Sequence, residues 1–154
     1  MSDTDFTEAI EAFWACGLDL SPQELVDRVE YEMVTQFPET ENPVTHAFTP
    51  GLYCRTMYMA GGTLATSKIH NQEHQYVIVS GTLSVWTKET GAVTIHAPFH
   101  GITKPGTRRV VYAHTDVCWL TFHPTDETDL DVIEDKIIMK HTNILLEGSP
   151  SCLG

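Results

Sequence analysis

The chain has 154 residues, 42% of them hydrophobic, with a formal net charge of −12 and four cysteines. That length suits one domain with a substantial core, and the ordinary apolar content excludes a disordered or fibrous chain. So acidic a total, with no clustered basic stretch, disfavours duplex nucleic acid as a partner, and no apolar run approaches bilayer-spanning length.

The charge is unevenly placed. Residues 1–50 carry a balance of −10, residues 51–123 a balance of +3, and residues 124–154 a balance of −5. The mildly basic centre can attract a small anion. The N-terminus is acidic where a secretory leader is basic, so the expected compartment is the cytoplasm. Cys16, Cys54, Cys118 and Cys152 lie far apart and form no C-x-x-C pair, which predicts reduced thiols rather than a disulfide framework or a zinc knuckle. Cys54 and Cys118 fall in strand-like runs, where a small buried residue is expected.

In chain order, Asp5-Phe6-Thr7-Glu8 has the spacing of a capping box, and Phe6, Ile10, Phe13 and Trp14 follow at helical intervals until Gly17. Ser21-Pro22-Gln23-Glu24 is a stronger start signal: a cap, a proline at the first helical position and a reciprocal glutamate. Leu25, Val29 and Met33 continue one apolar stripe to Pro38. Residues 1–43 are thus expected to form a helical extension packed on the body of the domain, its charged faces solvated.

From Val44 the period turns strand-like. Strands are predicted at 44–48, 52–59, 63–70, 75–80, 82–87, 92–97, 101–104, 108–114 and 117–123, punctuated by Ala60-Gly61-Gly62, Ser80-Gly81, Glu89-Thr90-Gly91, Pro105-Gly106 and Thr115-Asp116. Short strands at even spacing with no helices between them imply an antiparallel sandwich or barrel over 44–124. Leu130, Ile133 and Ile137 then mark a closing helix within the last segment, 125–154. The fold class is therefore mainly β, an antiparallel jelly roll with two N-terminal helices and one C-terminal helix.

Within the barrel, His70, Glu73 and His74 gather at a polar turn between two predicted strands. Imidazole and carboxylate suit zinc, iron, nickel or manganese, and two or three such ligands do not choose among them. The plainer reading is a histidine pair satisfying hydrogen bonds in a polar barrel mouth. Trp86 and Trp119 are expected to fill the core. Arg108 should point to the face opposite Arg109, toward solvent. His46, His96, His114, His123 and His141 are scattered and read as surface or loop residues.

The span from about Leu52 to His123 resembles a cupin, a small double-sheet jelly roll. Of the motif G-x5-H-x-H-x3/4-E-x6-G, the chain keeps Gly81, with His74 on the glutamate position, His70 on the second histidine and Lys68 on the first. The second motif is more worn: Lys104-Pro105-Gly106-Thr107-Arg108-Arg109 covers it, placing Arg109 on the histidine position and Ala113 on the asparagine. The H-x-x-E-H turn, the run Ala97–Arg109 and the tract Trp119–Leu130 resemble more specifically a subgroup of small single-domain cupins from tailed phages and bacteria.

The resemblance implies a divalent metal held by three histidines and a glutamate, and a homodimer. In this chain the set becomes His70, Glu73 and His74, with His100 a fourth ligand if its strand faces inward. Lys68 and Arg109 bring positive charge where the family has ligands, and with Tyr76 they suit a small anionic or polar ligand. The first expectation is therefore a metal-binding small cupin of unassigned reaction. Its rivals are a metal-free module for a small acid or sugar phosphate, and a phage-associated assembly protein acting through its acidic helices.

Overall fold

A computed structural model describes residues 2–15 and 20–147 of the chain. Helix α1 spans Asp3–Ala15 and α2 spans Pro22–Gln36; nine strands follow, and α3, Leu130–Ile137, is the last regular element among the described residues. The strands are β1 Val44–Thr49, β2 Leu52–Met59, β3 Leu64–Thr66, β4 His74–Ser80, β5 Thr82–Thr87, β6 Gly91–His96, β7 Phe99–Thr103, β8 Val110–Ala113 and β9 Val117–Pro124. They pair antiparallel into two sheets, ordered β1-β2-β9-β4-β7 and β3-β8-β5-β6. This is the expected jelly roll. Among the described residues, no helix is long and apolar enough to cross a membrane.

Period-two alternation decides what each strand buries. Met59, Tyr76, Ile78, Leu83, Val85, Ile95, Val111, Ala113, Val117 and Trp119 fill the space between the sheets. Gly81 turns β4 into β5 at φ +99°, and a Cβ there would stand 2.3 Å from the Asp116 carbonyl oxygen. Only glycine meets both demands.

A second core lies outside the barrel. Phe6, Ile10, Trp14, Leu25, Val26 and Val29 of the two N-terminal helices cover Trp86 and Val110 on the outer face of the four-stranded sheet. Trp14 and Trp86 pack with ring centroids 4.3 Å apart. Strand β5 is therefore buried on both faces, which alternation alone does not predict.

The box at Ser21 forms as expected: its hydroxyl accepts from the Glu24 amide and the Glu24 side chain accepts from the Ser21 amide. The one at α1 sits three residues earlier than the sequence suggested. There the Asp5 amide donates to the Ser2 hydroxyl, and the Ser2 amide donates to the Asp5 carboxylate. Gly17, Cys16 and Cys152 lie outside the described residues. Cys54 and Cys118 are free thiols, half-buried rather than enclosed.

Arg108 corrects the sequence reading. It does face away from the cavity, but α2 covers that side, leaving it 5% exposed. Its guanidinium meets Asp27 at 2.6 Å and Glu30 at 3.0 Å, and donates to the carbonyls of Ser67 and Gln23. His141, exposed in irregular chain as expected, contacts both Asp27 oxygens at 2.9 Å, and buried Asn143 donates to the Asp27 carbonyl. One buried carboxylate thus ties α2, the approach to β8 and the segment after α3 together.

A candidate metal centre in the barrel mouth

A cavity of about 530 Å³ opens at the end of the barrel beneath α3. Its inner wall follows from register. On the five-stranded sheet, His46, Arg55, Thr121 and Tyr76 stand in one inward row, because His46 pairs with Arg55, Arg55 with Thr121 and Thr121 with Tyr76. One row nearer the mouth come Phe48, Tyr53 and His123. The pairing of Gln75 with Phe122 sets His74 beside His123 in that row. One row deeper come Met57, Trp119 and Ile78.

His70 reaches the same place without a regular strand. The predicted strand 63–70 ends at Thr66, and the chain then runs irregularly through a turn. His70 is fixed instead by a single antiparallel bridge to Ile138, just after α3. The Asn71 amide donates to the Ile137 carbonyl, the Met139 amide to the Ile69 carbonyl, and the Gly106 amide to the His70 carbonyl. Ile133 and Ile137 of α3 pack on Tyr53 and seat that helix over the mouth.

The result is three converging imidazoles. Ring centroids are 4.5 Å apart for His70 and His74, 4.5 Å for His74 and His123, and 5.4 Å for His70 and His123. One candidate ligand atom from each lies within 4.8 Å of the others.

One hydrogen bond assigns a tautomer, that of His74. His74 Nδ1 stands 3.2 Å from the Gln72 carbonyl, which can only accept, so Nδ1 carries the proton and Nε2 keeps its lone pair. His123 Nε2 contacts the Thr121 hydroxyl at 3.0 Å, while its Nδ1 is buried with no partner among the described residues. A buried nitrogen without a partner is costly unless something supplies one.

All three rings are held neutral. Burial, reinforced by His74, His123, Arg55 and Arg109, pulls His70 down to about 3. Burial, with His74 and Arg55, brings His123 to about 4. Burial and the Arg109 charge also lower His74, against the Gln72 carbonyl. Neutral imidazole is the metal-binding form. The donor set therefore fits a divalent ion, which three histidines can hold with a position left open.

Two expected ligands lie elsewhere. Glu73 is half-exposed and paired with Lys104. His100 sits on β7 opposite Val77, on the outward face, because His74 and Tyr76 take the inward positions of β4. The third imidazole comes instead from His123, read from the sequence as a surface residue and in fact 1% exposed. The alternation Val117, Trp119, Thr121, His123 along β9 was the available signal, since it places His123 on the same face as a core tryptophan.

The expected ligand-binding residues divide. Lys68 lines the cavity, but its ammonium is paired with Glu134 of α3. Arg109 enters the cavity and lies over the Tyr76 ring, 5.3 Å from its centroid. Burial lowers its pKa while Tyr76 opposes that shift, and a guanidinium so placed keeps its charge. Tyr76 supports rather than lines the site: Gly101 lets it lie across β7, where a Cβ would come within 2.6 Å of its hydroxyl oxygen. Arg55 and Tyr53 complete the wall, and neither belongs to any motif visible in the sequence. The Tyr53 hydroxyl meets His46 Nδ1 at 2.6 Å, and burial raises the phenol's pKa.

No protein-family model matches the chain, and no curated protein does. Among solved structures, a cupin-2 domain protein from Shewanella frigidimarina aligns at 11% identity and a TM-score of 0.44, over 63% of this chain and 92% of that one. A double-stranded β-helix protein from Klebsiella pneumoniae aligns at 13% and 0.49, over 60% and 84%. The EutQ protein of Clostridium difficile aligns at 18% and 0.46, over 56% and 70%. The fold of this chain is the two-sheet antiparallel jelly roll. Strand order and register carry that statement in this chain, and likenesses at such identities speak to nothing beyond fold.

Proposed function

We propose that this chain is a metal-binding cupin in which His70, His74 and His123 hold one divalent ion at the head of a pocket for a small anionic or polar ligand. The observation behind this reading is the convergence of three neutral imidazoles, one of which, His123, keeps a buried Nδ1 without a hydrogen-bond partner among the described residues. Zinc, iron, manganese and nickel all accept such a set. A bound ion with an open position would act as a Lewis acid toward a carboxylate or carbonyl. The chain's own part is to keep the three rings neutral, fix the His74 tautomer through the Gln72 carbonyl, and screen the mouth with α3.

The test is elemental analysis of gently purified, untagged protein beside His123→Ala and the His70→Ala/His74→Ala double variant. Near-stoichiometric metal is expected in the wild type and its loss in both variants. Wild type that stays empty after reconstitution with each of the four metals sinks the reading.

A second reading, a metal-free module for a small acid, is favoured by Arg55 and Arg109 in the same wall. It predicts that anions stabilise the protein and that chelators leave its ligand binding unchanged.

A further inference from the structure

The charges in and around the cavity are not balanced alike. Lys68 is neutralised by Glu134, Lys104 by Glu73, Lys136 by Glu127, and Arg108 by Asp27 and Glu30. Among the described residues, no hydrogen bond or ion pair joins Arg55 or Arg109 to a carboxylate; Glu134, already paired with Lys68, and Glu89 act on them only through space. Yet the chain holds 21 acidic residues against nine basic ones, so partners were available. Two guanidiniums are left to face a cavity that already concentrates neutral imidazoles. A guanidinium without a hydrogen-bonded carboxylate in such a wall is costly to hold unless an anion joins it.

Their placement is specific. Arg55 on β2 and Tyr76 on β4 flank Thr121 of the intervening strand, about 10 Å apart at ordinary strand spacing. Arg109 reaches in from the approach to β8 and lies on Tyr76. The two cations thus bracket the row just beneath the histidines. Below them the lining turns apolar: Met57, Met59, Ala65, Val111 and Trp119. Polar atoms thin out with depth, from imidazoles through guanidiniums to a hydrocarbon floor. A ligand complementary to that gradient has an anionic head and a short apolar end.

We propose that Arg55 and Arg109 form a carboxylate subsite beneath the three histidines, and that the pocket takes a small monocarboxylic acid whose hydrocarbon end rests on Met57, Met59, Val111 and Trp119. This deepens the function proposed above and rests on the same cavity. The guanidinium fork matches a carboxylate in two parallel hydrogen bonds. Inorganic phosphate shares the charge but has no hydrocarbon for the floor.

The test is isothermal titration of the zinc-loaded and the chelator-treated wild-type protein with acetate, butanoate, hexanoate, inorganic phosphate and butanamide. The expected result is one site per chain, with affinity rising up to about fourfold per added methylene from acetate to butanoate, the equivalent of ~0.8 kcal/mol. Butanamide and phosphate should bind at least tenfold more weakly than butanoate. Arg55→Met and Arg109→Met should each weaken butanoate at least tenfold, with thermal melts of both variants recorded alongside. Arg55→Lys and Arg109→Lys should recover only part of the loss, because a lysine cannot make the paired bonds.

Phosphate binding as tightly as butanoate overturns the carboxylate assignment, and affinity independent of chain length overturns the seat of the hydrocarbon. Zinc bound stoichiometrically with no carboxylate binding overturns the subsite and leaves the metal reading intact. Carboxylate binding by a protein that takes up no metal supports the subsite and refutes the metal reading. The wild-type series decides the matter even if a methionine variant fails to fold.

Discussion

At the scale of single residues, the histidine trio makes acid stability a readout of the site. His70 and His123 titrate at about 3 and about 4 in the folded protein, well below their ordinary value of 6.5. Above pH 6.5 both folded and unfolded chains carry them neutral, and they add no pH dependence. Below it the unfolded chain takes up protons that the folded chain refuses, so stability must fall as pH falls, down to about 3. Urea titrations of metal-free protein at pH 7.5, 6.0 and 5.0 should show a loss that sets in near pH 6.5 and grows toward pH 5.0. His123→Gln should flatten part of the slope before the carboxylates begin to titrate. A wild-type midpoint constant from pH 7.5 to 5.0 contradicts the burial that holds these rings neutral. Proton competition for a metal at His70 and His123 belongs lower, near their folded values of about 3 and about 4, since each ligand must be neutral to bind.

At the scale of elements, the joint between α2 and the barrel is the sharpest case. Arg108 and Asp27 are both nearly inaccessible and 2.6 Å apart. Removing one partner of a buried pair leaves the other uncompensated, a cost of about 3–5 kcal/mol. Arg108→Met should therefore be strongly destabilised in chemical denaturation, and Asp27→Leu in the same background should regain part of the loss. A double variant that loses the sum of the two single effects shows that the groups do not interact.

This joint also marks where sequence reasoning stopped. Alternation found nearly every strand and rightly turned Arg108 away from Arg109. It could not say that a helix from about 80 residues earlier would be waiting on that side. His123 is the opposite case: period two along β9 already aimed it inward, and its isolation from the other histidines in sequence hid it. Glu73 was drawn in by nearness in sequence, and His100 by its place on the run before the second motif. In strands, however, adjacent residues face opposite ways, and a turn residue follows its local cation. His70 does stand beside His74, but the bridge to Ile138 that fixes it comes from the closing segment rather than from its own hairpin.

At the scale of the molecule, the trio joins parts that the unfolded chain keeps far apart. His70 and His74 come from one turn, His123 from the last strand, and Ile138 after α3 pins His70 from outside. An ion bound by all three meets its full ligand set only in the folded state, so it should stabilise by mass action. At a free metal concentration about 100 times Kd the gain is about 2.7 kcal/mol, and for a chain of this size that corresponds to a rise in Tm of roughly 5–10 °C. Melting curves of chelator-treated protein, repeated over rising zinc concentrations, should climb without a plateau once the site is saturated. The logarithmic rise is the signature of a ligand that recognises the folded state alone. His123→Ala should stay flat over the same range, because two imidazoles four residues apart are as available in the unfolded chain as in the folded one. A rise of equal size in that variant would locate the binding away from β9. A wild-type curve that does not move would mean that the three rings converge for another reason, with the partnerless Nδ1 of His123 satisfied by water or by a polar group of the ligand.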